Sequence, residues 1–154
     1  MKRFLIVFAA VVHLVLADAV TKELAAGCLK ASAAVSVVPG FFSLAYVENR
    51  GCAWGMFQGQ VWPLASFAAL AFAFLVWKRK SVFGEGRAGA AAEVLLYAGI
   101  AGNLVDRVFR GYVIDFLDFH WGGAYHFPCF NLADAFITVA AGILVLCSFG
   151  KRTS

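Results

Sequence analysis

Charge is what this chain has least of. Asp, Glu, Lys and Arg make up 14% of its 154 residues, where a soluble domain carries roughly 25%. That shortfall excludes an ordinary soluble globular protein, and the length allows a single domain, 1–154, with no soluble second one. There is no phosphate loop, dinucleotide fingerprint, internal repeat or low-complexity tract, which removes the classes built on them. The four cysteines, Cys28, Cys52, Cys129 and Cys147, are irregularly spaced, so no disulfide framework is expected. His120, His126 and Cys129 lack compact metal-ligand spacing, and neither a metal nor another cofactor is expected.

What is present is apolar length. Hydrophobic residues are 62% of the chain and fall in four long stretches, about 4–22, 59–77, 88–109 and 131–149. Each approaches the roughly 20 residues that a helix needs to cross a bilayer. Lys2 and Arg3 precede the first stretch, Lys78, Arg79, Lys80 and Arg87 lie between the second and third, and Lys151 and Arg152 follow the fourth. This places both termini and the central loop in the cytoplasm and exports the segments 23–58 and 110–130. The basic clusters are topology signals, not a nucleic-acid surface. The start "MKRFLIVFAAVVHLVLADA" has features of a cleavable leader. Its long apolar run and the charge pattern favour a retained span.

The first exported segment contains "FFSLAYV" between the turn signals Pro39-Gly40 and Asn49-Arg50-Gly51, which predicts a small β element against the outer membrane face. The second contains "HWGGAYHF", a Gly-Gly hinge among aromatics, and predicts a flexible flap. The fold class is then an all-α integral membrane protein of four transmembrane helices. A small β element and a flexible flap complete its extracytoplasmic face.

Polar residues inside a membrane are costly and mark cavities or mutual contacts. Gly99, Asn103 and Arg107 recur every four residues and share a helix face, with Asp106 beside it. Asp115 is expected just past that helix or in its last turns. Asn131 and Asp134 are three apart at the start of the fourth span and also share a face. If the last two spans are antiparallel neighbours, Asp115 and Asp134 can approach. Two close carboxylates share a proton; the ionised one can take a proton from water while the other donates to a carbonyl, hydrolysing a peptide. Alternatively, each Asp pairs with Arg107, Arg110 or Lys22 to fix the bundle, or serves a proton relay that includes Asp106. Asp118 is a second possible partner for Asp115, although a solvated loop role suits it better. Asp18 and Lys22, four apart, suit an internal salt bridge or a contact with the site.

Five separated motifs then fall into a familiar order: Asp18-x-x-x-Lys22, "NRGCAWG" at 49–55, "GIAGNLVDR" at 99–107, "GYVIDF" at 111–116 and "FNLADAF" at 130–136. Together they resemble bacterial lipoprotein signal peptidases (signal peptidase II). The resemblance implies an aspartyl endopeptidase that cleaves diacylglyceryl-modified prolipoproteins before the lipidated cysteine. Asp115 and Asp134 match the family's catalytic aspartates. Asn103, Arg107 and Asn131 match residues lining its site, and Asp18, Lys22, Asn49 and Gly51 match further motif positions. It also implies a small β-cradle and a short flap or amphipathic helix on the extracytoplasmic face, and a monomer in the bacterial cytoplasmic (inner) membrane, with its site near the outer face, contact with membrane lipids and inhibition by globomycin. Cys52 and Trp54 stand where the family commonly has Ala or Ser and Phe, which implies an altered pocket shape.

Overall fold

The computed structural model describes residues 2–52, 55–121 and 125–150. The first helix, α1 (Lys2–Leu29), runs 28 residues, about 42 Å at 1.5 Å per residue. It is longer than the expected span because "TKELAAGCL" continues it without a breaker. One of its faces buries Asp18, Lys22, Ala25 and Leu29, spaced four, three and four residues apart. Strands β1 (Val35–Val38) and β2 (Phe42–Asn49) follow, bearing out the small β element. Next come α2 (Val61–Trp77) and an unanticipated short α3 (Arg79–Phe83), then α4 (Arg87–Arg110), β3 (Val113–Trp121), β4 (Tyr125–His126) and α5 (Leu132–Gly150).

Among the described residues, three helices, α1, α4 and α5, are long and apolar enough to cross a membrane. The helix α2, at 17 residues, lies at the short end of the range for a span. Exposed helix faces carry large apolar side chains, including Phe67, Leu70, Trp77 and Leu146, while Asp18, Lys22 and Glu93 are buried. This inverted distribution suits a bilayer, where ionisable groups turn inward and pair.

The second exported segment differs from the flap expectation. Residues Val113–Trp121 form a nine-residue strand, in a sheet ordered β1-β2-β3-β4 with antiparallel neighbours. Val113, Ile114, Phe116 and Phe119 explain it, since β-branched and aromatic side chains favour a half-buried pleated surface. Gly122 and Gly123, the expected hinge, lie outside the described residues, as does Trp54. The turn into β3 is made by Gly111, left-handed at φ 76°, which stops α4 as a C-terminal glycine does. Asp115 therefore sits on a strand, not in the last turns of the helix.

Packing falls into two apolar clusters. Val7, Phe83, Ala92, Tyr97 and Ala140 form one among the helices. Ala25, Leu29, Ile114 and Phe116 form the other, joining α1 to the sheet. Where α4 meets α5, a methyl group on Gly102 would lie 2.7 Å from Asp18 Oδ2 and 3.3 Å from the Ala133 side chain. Only a residue without Cβ lets α1, α4 and α5 meet there.

Candidate active site

Four elements deliver the carboxylates and their supports: β2, β3, α4 and α5. Strand pairing aligns Val47 with Asp115 and Asn49 with Val113, which brings Asn49 beside Asp115. The first turn of α5 supplies Asp134, the residue just before it is Asn131, and α4 supplies Asn103 and Arg107.

Asn131 joins the two acids. Its Nδ2 donates to Asp115 Oδ1 at 2.7 Å and to Asn103 Oδ1 at 3.2 Å. Its backbone N–H donates to Asp134 Oδ2 at 3.2 Å, and its Oδ1 accepts from the Asp134 N–H at 3.0 Å. This reciprocal pair closes the first turn of α5 much as a capping box does. Asn103 Nδ2 donates to Asp134 Oδ1 at 2.7 Å, and Asn49 Nδ2 donates to Asp115 Oδ2 at 2.9 Å. All four carboxylate oxygens are thus held by neutral donors.

Electrostatics separate the acids from the cations. Among the described residues neither Asp115 nor Asp134 makes an ion pair within 4 Å. The sequence-based alternative of simple Asp–Arg or Asp–Lys pairing for these two therefore does not hold. Lys22, fully buried, instead pairs with Asp18 at 2.7 Å and Asp106 at 2.9 Å, and donates to Asn103 Oδ1 at 3.1 Å. The expected Asp18–Lys22 bridge is present, and it reaches the site through Asn103. Asp18 also accepts from the Ala133 N–H at 2.9 Å, tying α1 to the first turn of α5. Arg107 Nη2 donates to Gly51 O at 3.0 Å, while the Gly51 N–H donates to Asn49 Oδ1 at 2.9 Å. A Cβ on Gly51 would overlap the Met56 carbonyl oxygen, so this close loop needs glycine.

Burial pushes the Asp115 carboxyl up to about 7, helped by the negative charge of Asp134 and opposed by the Asn49 and Asn131 hydrogen bonds. A carboxyl poised there can hold a proton at neutral pH and give it up within one catalytic cycle. Both acids line one cavity of about 500 Å³, with Asn49, Asn103, Arg107 and, on α5, Ile137, Thr138 and Val139. A second cavity of about 480 Å³ adjoins Asp115 from the sheet side and is lined by Asp118, His126 and Gln58. The site thus has a wall of apolar helix surface and an approach beside the sheet.

Asp118 is not the solvated loop carboxylate expected. It lies on β3 with its side chain 15% exposed and takes a 2.9 Å contact from His126 Nδ1. His120 Nε2 lies 3.0 Å from Ser43 Oγ. Cys129 and Cys52 line both cavities, a role their sequence context did not reveal. The β-branched and aromatic residues of "VIDFLDFHW" were the available signal for β3, and with it for the placing of Asp115.

Known proteins resemble this chain over most of its length. A family profile described as signal peptidase (SPase) II matches residues 10–150. The lipoprotein signal peptidase of Syntrophotalea carbinolica is 41% identical over 94% of this chain and 89% of its own length. That of Symbiobacterium thermophilum is 40% identical over 86% of each. A bacterial membrane enzyme solved at 2.3 Å superposes with a TM-score of 0.80 and 32% identity, over 96% of this chain and 89% of its own. A second, solved at 1.9 Å, gives 0.74 and 28% over 92% and 90%. The chain belongs to the signal peptidase II family.

Proposed function

We propose that this chain is a lipoprotein signal peptidase that hydrolyses diacylglyceryl-modified prolipoproteins immediately before the lipidated cysteine, with Asp115 and Asp134 as its catalytic pair. The observation that carries the reading is Asn131, which holds one carboxylate by its side chain and the other by its backbone at the wall of one cavity. The Asp134 carboxylate takes a proton from a water molecule as that water attacks the scissile carbonyl carbon. Protonated Asp115 gives its proton to the carbonyl oxygen. Collapse of the tetrahedral intermediate returns that proton to Asp115, while Asp134 passes its own to the departing amine.

Asn103, Asn49 and Asn131 hold the two acids in register, and Arg107 and Gly51 hold the Asn49 loop. Lys22 and Asp18 brace α1 against this group. The apolar wall of Ile137 and Val139 suits acyl chains, with the water side toward the sheet.

The same reading supplies the topology. With α2 as a fourth span, Lys2, Arg3, Arg79 and Arg87 stand at the end opposite the carboxylates. This favours cytoplasmic termini in the inner membrane and a site near the outer face. One integral membrane domain, active as a monomer and open to competition by globomycin-type cyclic peptides, completes it. The exported segment of about 110–130 supplies its flap.

The test uses purified protein in detergent and a diacylglyceryl prolipoprotein, followed by gel shift, with Asp115→Asn and Asp134→Asn alongside. Chelator-resistant cleavage of lipidated but not unlipidated substrate, lost in either variant, is expected. Cleavage that survives Asp134→Asn would overturn the pair and make Asp118 the next partner to test.

A further inference from the structure

At the end opposite the carboxylates, α1 and α4 diverge over a groove of about 630 Å³ lined by Arg3, Ile6, Ala91, Arg87, Val94 and Leu95, among others. The groove exists because α4 begins "RAGAAAEV", whose small side chains leave space that Ile6 and Val7 do not fill. From Arg87 to Leu95 it runs eight residues along the helix, about 12 Å into the apolar layer.

Its mouth is cationic. Arg3 is fixed there, donating to Gly84 O at 3.1 Å, Glu85 O at 3.3 Å and Glu93 Oε2 at 3.3 Å. Its Nε is buried without an acceptor among the described residues. Glu93, which Arg3 shares with Arg79, is neutralised. Arg87 is exposed and makes no ion pair among the described residues, while Glu85 is the one carboxylate at the rim. The first turn of α4 adds no acidic residue, and Lys2 stands next to Arg3.

We propose that this groove holds one anionic phospholipid, its phosphate against Arg87 and Arg3 and an acyl chain along Ile6, Ala91, Val94 and Leu95. Charge complementarity selects this occupant. A basic pocket between spanning helices attracts anionic headgroups, and a zwitterionic lipid brings its own cation to the same rim. The bound lipid joins α1 to α4 at the end of the bundle remote from the peptide chemistry.

The test is native mass spectrometry of the full chain in detergent, titrated with dioleoyl phosphatidylglycerol, dioleoyl phosphatidylcholine or sn-glycerol 3-phosphate. Phosphatidylglycerol is expected to bind more tightly than phosphatidylcholine, and glycerol phosphate not to compete. Arg87→Gln is expected to cut the preference about fivefold, the effect of one cation at a headgroup. Ala91→Phe, which fills the groove, is expected to remove the bound lipid. Equal affinity for the two lipids, a preference unchanged in either variant, or competition by glycerol phosphate overturns the proposal. No substrate is involved, so the result stands apart from the peptidase reading.

Discussion

Asn131 Nδ2 donates to Asp115 Oδ1 at 2.7 Å, and the same residue's backbone N–H reaches Asp134. One residue thereby contacts both acids, with Asn49 and Asn103 holding their other oxygens. Asn131→Ala removes the side-chain half of that linkage and leaves the backbone half. Cleavage at saturating substrate is expected to fall about a hundredfold, the cost of misplacing a reacting group by about 1 Å. A melting curve should show a loss of roughly 1–3 kcal/mol from the acceptors left unmet. Full activity in a folded Asn131→Ala protein would remove Asn131 from the machinery.

Lys22 is completely buried between two carboxylates. Lys22→Met strands Asp18 beside a neutral neighbour and leaves Asp106 with Arg110 alone. Breaking a buried pair from one side costs about 3–5 kcal/mol. Adding Asp18→Asn to Lys22→Met should recover part of that loss, so the double variant melts above the sum of the singles. Strict additivity in thermal melts would mean that the pair contributes nothing as a pair.

The placing of these groups was unevenly legible in the sequence. Asn103, Arg107 and Asp134 lie on helices and Asn131 directly precedes one, where three- and four-residue spacing directly gives a shared face. The i,i+4 bridge of Asp18 and Lys22 follows from the same rule. Asp115 was harder, because its position depends on β3 pairing with β2, a contact between residues 66 apart that no local spacing encodes. The glycines after Trp121 suggest a flap for the exported segment, although the side chains from Val113 to Trp121 favour strand. Glu93 is the one acidic residue in the first half of α4, remote from the carboxylate pair. Its partners Arg3 and Arg79 come from two other elements. Between it and Asn103 the packing around Tyr97 includes Phe72 and Phe83, so the two polar clusters are separated by an aromatic layer that does not suit a relay.

Gly102 and Gly142 offer a matched pair of helix glycines. At Gly102 an added methyl meets Asp18 Oδ2 at 2.7 Å, whereas at Gly142 nothing lies within 4 Å. Gly102→Ala should therefore destabilise by about 1–3 kcal/mol through overpacking and displace Asp18 from Lys22. Gly142→Ala should be neutral or gain up to about 1 kcal/mol from helix propensity. Melting temperatures of the two variants in one detergent decide it, and equal effects would refute the close approach of α1, α4 and α5.

The raised Asp115 carboxyl links stability and activity to pH. Burial moves it from 3.8 to about 7, so between those values the folded protein keeps a proton that the unfolded chain has released. Stability therefore falls as pH rises from about 4 to 7, and the full penalty, on the order of 4 kcal/mol for roughly three units, is present above 7. Asp115→Asn cannot titrate, and its melting temperature should lose this component of the pH dependence. Wild type should thus decline relative to Asp115→Asn between pH 5 and 8, whatever their difference at pH 4. Activity follows the same proton. If Asp115 donates to the scissile carbonyl, cleavage at limiting substrate should drop as pH passes about 7. Parallel melting curves for the two proteins across that range would show that Asp115 is ionised when folded and assign the donated proton elsewhere.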